Sequence, residues 1–216
     1  MDYVTARRNM VESQLRPNKV TSQAVLDALA AVPRELYVPE PLRGVAYVDE
    51  DIPLGDGRFL MEPMILARLV QLAAVQPGDA VLVVGSGTGY GAAIVSRLAN
   101  RVVALESDRG LAQSAAENLK AAGAANVAVI EGPLPAGAPQ LAPFDVVFFE
   151  GSVDAVPPAV VEQLANGGRL VAVVNQDGIG RATLMTRRAG VVAGRVAFDA
   201  AVPRLPGFEK VAAFVF

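Results

Sequence analysis

Three glycines at alternate positions, Gly85, Gly87 and Gly89, hold Ser86 and Thr88 between them and are followed by Tyr90. Before them runs AVLVV (80–84), an uncharged apolar stretch of strand length. After them AAIVSRLA (92–99) is apolar at helical spacing. The pattern is strand, glycine turn, helix. Glycine lets the backbone turn tightly and lets a ligand approach it closely. The N–H groups that open the helix then face that ligand with partial positive charge. Residues 101–106 form a second apolar run that ends on Glu106, with Ser107 behind it. An acidic residue about 20 positions beyond such a turn is placed to hold a ribose diol. The spacing is GxGxG, and Tyr90 stands where a dinucleotide fold wants its third glycine. This favours an S-adenosylmethionine pocket over a nicotinamide one. The plain reading of the same turn is a tight connection with no ligand.

Composition limits the chemistry. The 216 residues contain no histidine and no cysteine. That removes the commonest general base, thiol nucleophiles, the Ser-His-Asp triad and zinc–thiolate sites, and no metal site is expected. What remains is carboxylates, hydroxyls, amides, backbone groups or a cofactor. Lys and Arg total 19 against 22 Asp and Glu, a net charge of −3, and no basic patch stands out. Duplex nucleic acid is therefore not an expected partner. The N-terminus lacks the apolar core of a signal peptide, and no apolar run reaches membrane-spanning length. The expectation is a cytoplasmic protein with no membrane partner.

The elements that must position these residues follow along the chain. Residues 5–15 and 22–31 read as helices, the second with Thr21 as its N-cap. The stretch to Asp56 reads as irregular, with Pro39, Pro41 and Pro53. Residues 61–74 are apolar at helical spacing and lead into the glycine-turn strand. Strands at 101–106, 127–130, 144–149 and 169–175 alternate with helices at 110–122 and 158–165. Residues 190–200 and 210–216 close the chain as strands. Such alternation means an α/β fold, a mostly parallel sheet covered on both faces. The closing strands, with no helix between them, add an antiparallel edge. A single domain is expected, with residues 1–75 as an N-terminal helical, substrate-side extension and 76–216 as the cofactor-binding core.

Ordered motifs then carry a resemblance. MVESQL (10–15), VPRELYVP (32–39), AYVDEDIPLG (46–55), LVVGSGTGY (82–90), APFDVVFF (142–149) and QLANGGRLV (163–171) together resemble the protein-L-isoaspartate O-methyltransferase family. The resemblance covers nearly the whole chain. It implies a Rossmann-like class I methyltransferase with a seven-stranded, mostly parallel sheet. It implies S-adenosylmethionine as cofactor and isoaspartyl carboxylates of protein or peptide substrates as methyl acceptors. Gly85–Tyr90 would then hold the methionine end, Glu106 and Ser107 the ribose, Gly132 the adenine side, and Glu150 the region of the methyl group. Asp49, Phe59 and Met61 would flank the substrate. The family's threonine and serine before the glycine strand fall on Phe59 and Met61, flanked by Glu62 and Pro63, so the catalytic residue itself is left unassigned. Where the family has acidic residues on the cofactor, this chain has Val83 and Pro133. A family member that has lost isoaspartyl activity, or one with another acceptor, is the alternative reading.

Overall fold

The computed structural model describes residues 2–208. Seven strands form one sheet in the order β5-β4-β3-β6-β7-β8-β9. They are β3 (Ala80–Val84), β4 (Arg101–Glu106), β5 (Val127–Glu131), β6 (Phe144–Val153), β7 (Leu164–Gln176), β8 (Ile179–Arg188) and β9 (Val191–Asp199). The first five run parallel, and β8 pairs antiparallel with both β7 and β9. The expected α/β class and antiparallel edge are both present. The chain starts at β3 in the middle of the sheet, steps outward through β4 and β5, then returns to the other side of β3 with β6. At such a reversal the loops after neighbouring strands diverge, which opens a crevice at the carboxyl ends of β3 and β6.

Strand residues alternate between the two faces, as a pleat requires. Val81, Val83, Val102, Ala104, Val146 and Phe148 enter one apolar cluster, shared with the N-terminal helices. Leu82, Val84, Val103, Leu105, Val147 and Phe149 enter the other. Both faces are covered, and this explains the unbroken apolar runs. On the first face lie α1 (Tyr3–Asn9), which continues as a wider π-helical turn over Met10–Leu15, and α2 (Gln23–Ala31) and α3 (Pro63–Ala73). Then follow α4 (Tyr90–Ser96), α5 (Arg109–Ala121) and the short α6 (Pro158–Val161).

Several boundaries differ from those read in the sequence. Thr21 does not cap α2. Ser22 holds that position, and Gln71 on α3 accepts from the backbone N–H of both Thr21 (2.7 Å) and Ser22 (2.8 Å). The helix expected over 158–165 stops at Val161, because β7 already begins at Leu164. The segment read as irregular holds a hairpin, β1 (Ile52–Gly55) and β2 (Arg58–Leu60), that stands apart from the main sheet. Strand β8 was not expected. Both omissions share a cause. Asp56-Gly57 and Asp177-Gly178 are two-residue turns with positive φ at both positions (47° and 73°, 52° and 80°), the backbone that a tight hairpin demands. The strand expected over 210–216 lies outside the described residues. Among the described residues, no helix is long and apolar enough to cross a membrane.

Candidate active site

The glycine turn sits at the carboxyl end of β3. Gly85, Gly87 and Gly89 have φ of 78°, 54° and 93°, values that other residues adopt only with strain. The backbone N–H groups of Gly85 and Ser86 donate to Leu105 O at 2.9 and 3.1 Å, which ties the turn to β4. Gly89 caps α4 at its N-terminus.

Glu106, at the end of β4, is completely buried. Its carboxylate accepts from the backbone N–H of Gly87 at 2.7 Å, so loop and carboxylate form one unit. The backbone N–H of Ser107 (2.7 Å) and of Asp108 (3.0 Å) donate to it as well, and the Ser107 hydroxyl lies at 3.3 Å. The remaining donor comes from Arg58 on β2. Its guanidinium forks onto Glu106, with Nη2 at 2.9 Å from Oε2 and Nη1 on Oε1, and Nη2 also donates to Gly85 O at 3.2 Å. Arg58 is itself buried. No sequence pattern marked this arginine.

Glu150 lies within β6, across the crevice. Burial pushes its carboxyl up to about 8, against the pull of the Arg58 charge. A Cβ on Gly91 would come within 2.3 Å of Glu150 Oε1, so any side chain there requires the Glu150 carboxylate to move. That requirement too was invisible in the sequence. Gly132, after β5, donates its backbone N–H to Glu106 O at 3.0 Å. Gly85, Ser86, Gly87, Gly89, Glu106, Ser107, Gly132 and Glu150 are thus gathered at the carboxyl ends of adjacent strands.

Other candidates are placed elsewhere. The Thr88 hydroxyl donates to Tyr37 O at 2.5 Å and holds the loop to the N-terminal block. Tyr90 is fully buried beneath the Arg34 guanidinium (5.0 Å to the ring centroid) and beside Tyr37. It packs α4 rather than facing the crevice. Asp49, expected on the substrate side, accepts from the backbone N–H of Met64 at 3.0 Å and so caps α3. Asp51 does the same for Glu62 at 2.9 Å. Arg34, fully buried, donates to Ala46 O (2.7 Å) and to Met61 O (2.8 Å), which fixes the segment before Pro63 at N1 of α3. The Met61 side chain is buried, while Phe59 is 37% exposed. Burial, with Asp49 and Asp51 close by, pushes the Glu62 carboxyl up to about 7.

The crevice is filled by the chain itself. Leu205 lies over the glycine turn, 2.6 Å from where a Gly85 Cβ would stand, and it also closes on Gly151. Leu54 takes the same position over Gly87 at 3.1 Å. A void of about 10 Å³ remains between Arg58, Phe59, Met61, Glu150 and Leu205, room for one water at most. Glu62 does not line it.

Comparison with known proteins decides the family. Residues 6–201 match the sequence model of protein-L-isoaspartate(D-aspartate) O-methyltransferase, from the first helix through the last described strand. The chain belongs to the protein-L-isoaspartate O-methyltransferase family. It is 40% identical over 187 residues to the protein-L-isoaspartate O-methyltransferase of Methylorubrum extorquens, which spans 87% of this chain and 82% of that one. With the enzyme of the same name from Methanoregula boonei the identity is 41% over 168 residues, 78% of this chain and 77% of the other. A solved protein-L-isoaspartate O-methyltransferase superposes with a TM-score of 0.81 at 26% identity, covering 93% of this chain and 66% of that longer one. A Plasmodium falciparum structure in complex with S-adenosyl-L-homocysteine superposes with a TM-score of 0.82 at 19% identity, over 98% of this chain and all of the other, and supports the fold.

The donor set of this family member fits an S-adenosylmethionine ligand. The turn is a cradle of positive-φ glycines, and the Ser86 hydroxyl and Glu150 Oε1 are buried polar atoms without a hydrogen-bond partner among the described residues. Glu106 already binds a group that presents paired donors.

Proposed function

We propose that this chain methylates the carboxylate of isoaspartyl residues in protein or peptide substrates, with S-adenosylmethionine as methyl donor. One observation carries the reading: in a member of this family, a fully buried carboxylate, Glu106, is bonded to the N–H of Gly87 inside the glycine turn, at the reversal point of the sheet. When bound, the cofactor supplies an electrophilic methyl on a sulfonium, so the protein's work is binding, orientation and water exclusion. The turn 85–89 offers backbone groups to the methionine end, and Glu106 accepts from the ribose. Glu150 lies across the crevice, on the side where the methyl group is passed on.

A carboxylate acceptor is already a nucleophile at neutral pH and needs no base, which suits a chain without histidine or cysteine. Phe59 and Met61 offer no hydroxyl, so the acceptor is placed by apolar contact and by the backbone of the 59–63 segment. Arg34 holds that segment through Met61 O. Proximity and exclusion of water then supply the rate.

Incubation with methyl-labelled cofactor and a pair of peptides, one isoaspartyl and one aspartyl, tests this. The expected result is an alkali-labile methyl ester on the isoaspartyl peptide alone. No ester on either peptide, beside an active control enzyme, contradicts it.

A further inference from the structure

Arg58 stands where a ligand of this site would have to lie. Its guanidinium gives two donors to the Glu106 carboxylate and one to Gly85 O. A ribose diol also meets a carboxylate with two donors, its adjacent hydroxyls. Glu106 is completely buried, and backbone N–H groups of Gly87, Ser107 and Asp108 already occupy its other positions. One carboxylate cannot take the guanidinium and the diol together.

We infer that Arg58 is an internal competitor for the cofactor's ribose, so that the cofactor seats only after Arg58 leaves Glu106. This rests on the proposed cofactor site. The surroundings agree with it. Leu54 covers Gly87 from the same hairpin, Leu205 covers Gly85, and the void between Arg58, Glu150 and Leu205 is about 10 Å³. The hairpin is also a separate element, anchored in the core by Ile52 and Leu60 while Leu54 and Arg58 reach over the turn. Residues 52–60 form a two-stranded sheet of their own, with no ladder to the seven-stranded sheet. Leu54 and Arg58 can therefore withdraw from the turn without breaking a ladder hydrogen bond of the main sheet. Leu205 is held separately, through Leu205 N to Ser152 O and Ser152 N to Pro203 O, both at 2.9 Å.

The consequence is quantitative. The apparent dissociation constant is the intrinsic one divided by the open fraction, so a closed form favoured ten to one weakens binding about tenfold. Arg58→Met keeps the apolar stem and removes the donors. Arg58→Lys keeps the charge with a single donor and guards against misfolding of the methionine variant.

Titration calorimetry with S-adenosyl-L-homocysteine reads the effect without turnover. The expected order is Arg58→Met tightest, by about tenfold or more over the unaltered chain, with Arg58→Lys between them. Equal or weaker binding by both variants overturns the proposal. Absence of binding by all three chains, each folded by circular dichroism, overturns the cofactor-site reading itself and the competition with it.

Discussion

At the residue scale, Glu150 sets how stability depends on pH. An unfolded chain releases this proton near the ordinary 4.5, while the folded protein keeps it to about 8. Between those values the folded state binds more protons, so the stabilisation is complete below pH 4.5 and is lost as pH rises toward 8. Each unit within that window removes up to about 1.4 kcal/mol. Glu150→Gln cannot titrate. Its melting temperature is expected to stay flatter than that of the unaltered chain between pH 5 and 8, measured as about a degree or more of relative gain per pH unit. A parallel decline in both chains contradicts this role for Glu150. Glu106 was legible in the sequence because it ends an apolar strand at a set distance from a glycine turn. Its partner Arg58 was not, since the pair is 48 positions apart and only the folded hairpin brings them together.

At the element scale, the start of α3 shows a carboxylate serving a helix end from a distant part of the chain. Asp49, which the resemblance puts beside the substrate and a plain reading makes a turn or cap residue, satisfies the Met64 N–H, one of the donors a helix start leaves unpaired, across 15 positions of sequence. Asp49→Ala is expected to cost about 1 kcal/mol, read as a shift of the urea midpoint with no change of slope. An unchanged midpoint sinks the capping assignment. Strands β3 and β4 were legible to the residue, because a doubly buried strand is apolar throughout and has no face to confuse. Strand β8 was hidden. Arg181, Arg187 and Arg188 blur its alternation, and a two-residue Asp-Gly turn is too short to separate it from β7 by composition. The equally short Asp56-Gly57 turn hid the β1–β2 hairpin, and with it the element that closes the crevice.

For the molecule as a whole, the sheet's two apolar faces follow from the order and periodicity of the strands, while its reversal between β3 and β6 is seen only in the fold. The resemblance read from ordered motifs agrees with the family match over residues 6–201. What sequence patterns did not convey is closure. Beyond the shared apolar cluster, the N-terminal block is joined to the rest of the molecule by long-range polar contacts: Thr88 to Tyr37 O, Arg34 over Tyr90, and Arg169 to Ala73 O. None follows a local rule. The result is a crevice in which the glycine turn and Glu106 are already joined while Leu54, Arg58 and Leu205 lie over them. The most direct measurement is a crystal structure grown with saturating S-adenosyl-L-homocysteine. The expected density has the ligand against the 85–89 turn, its ribose on Glu106 and the Arg58 guanidinium withdrawn. Density that still shows Arg58 on Glu106, with no ligand along the turn, refutes the cofactor site and the competition together.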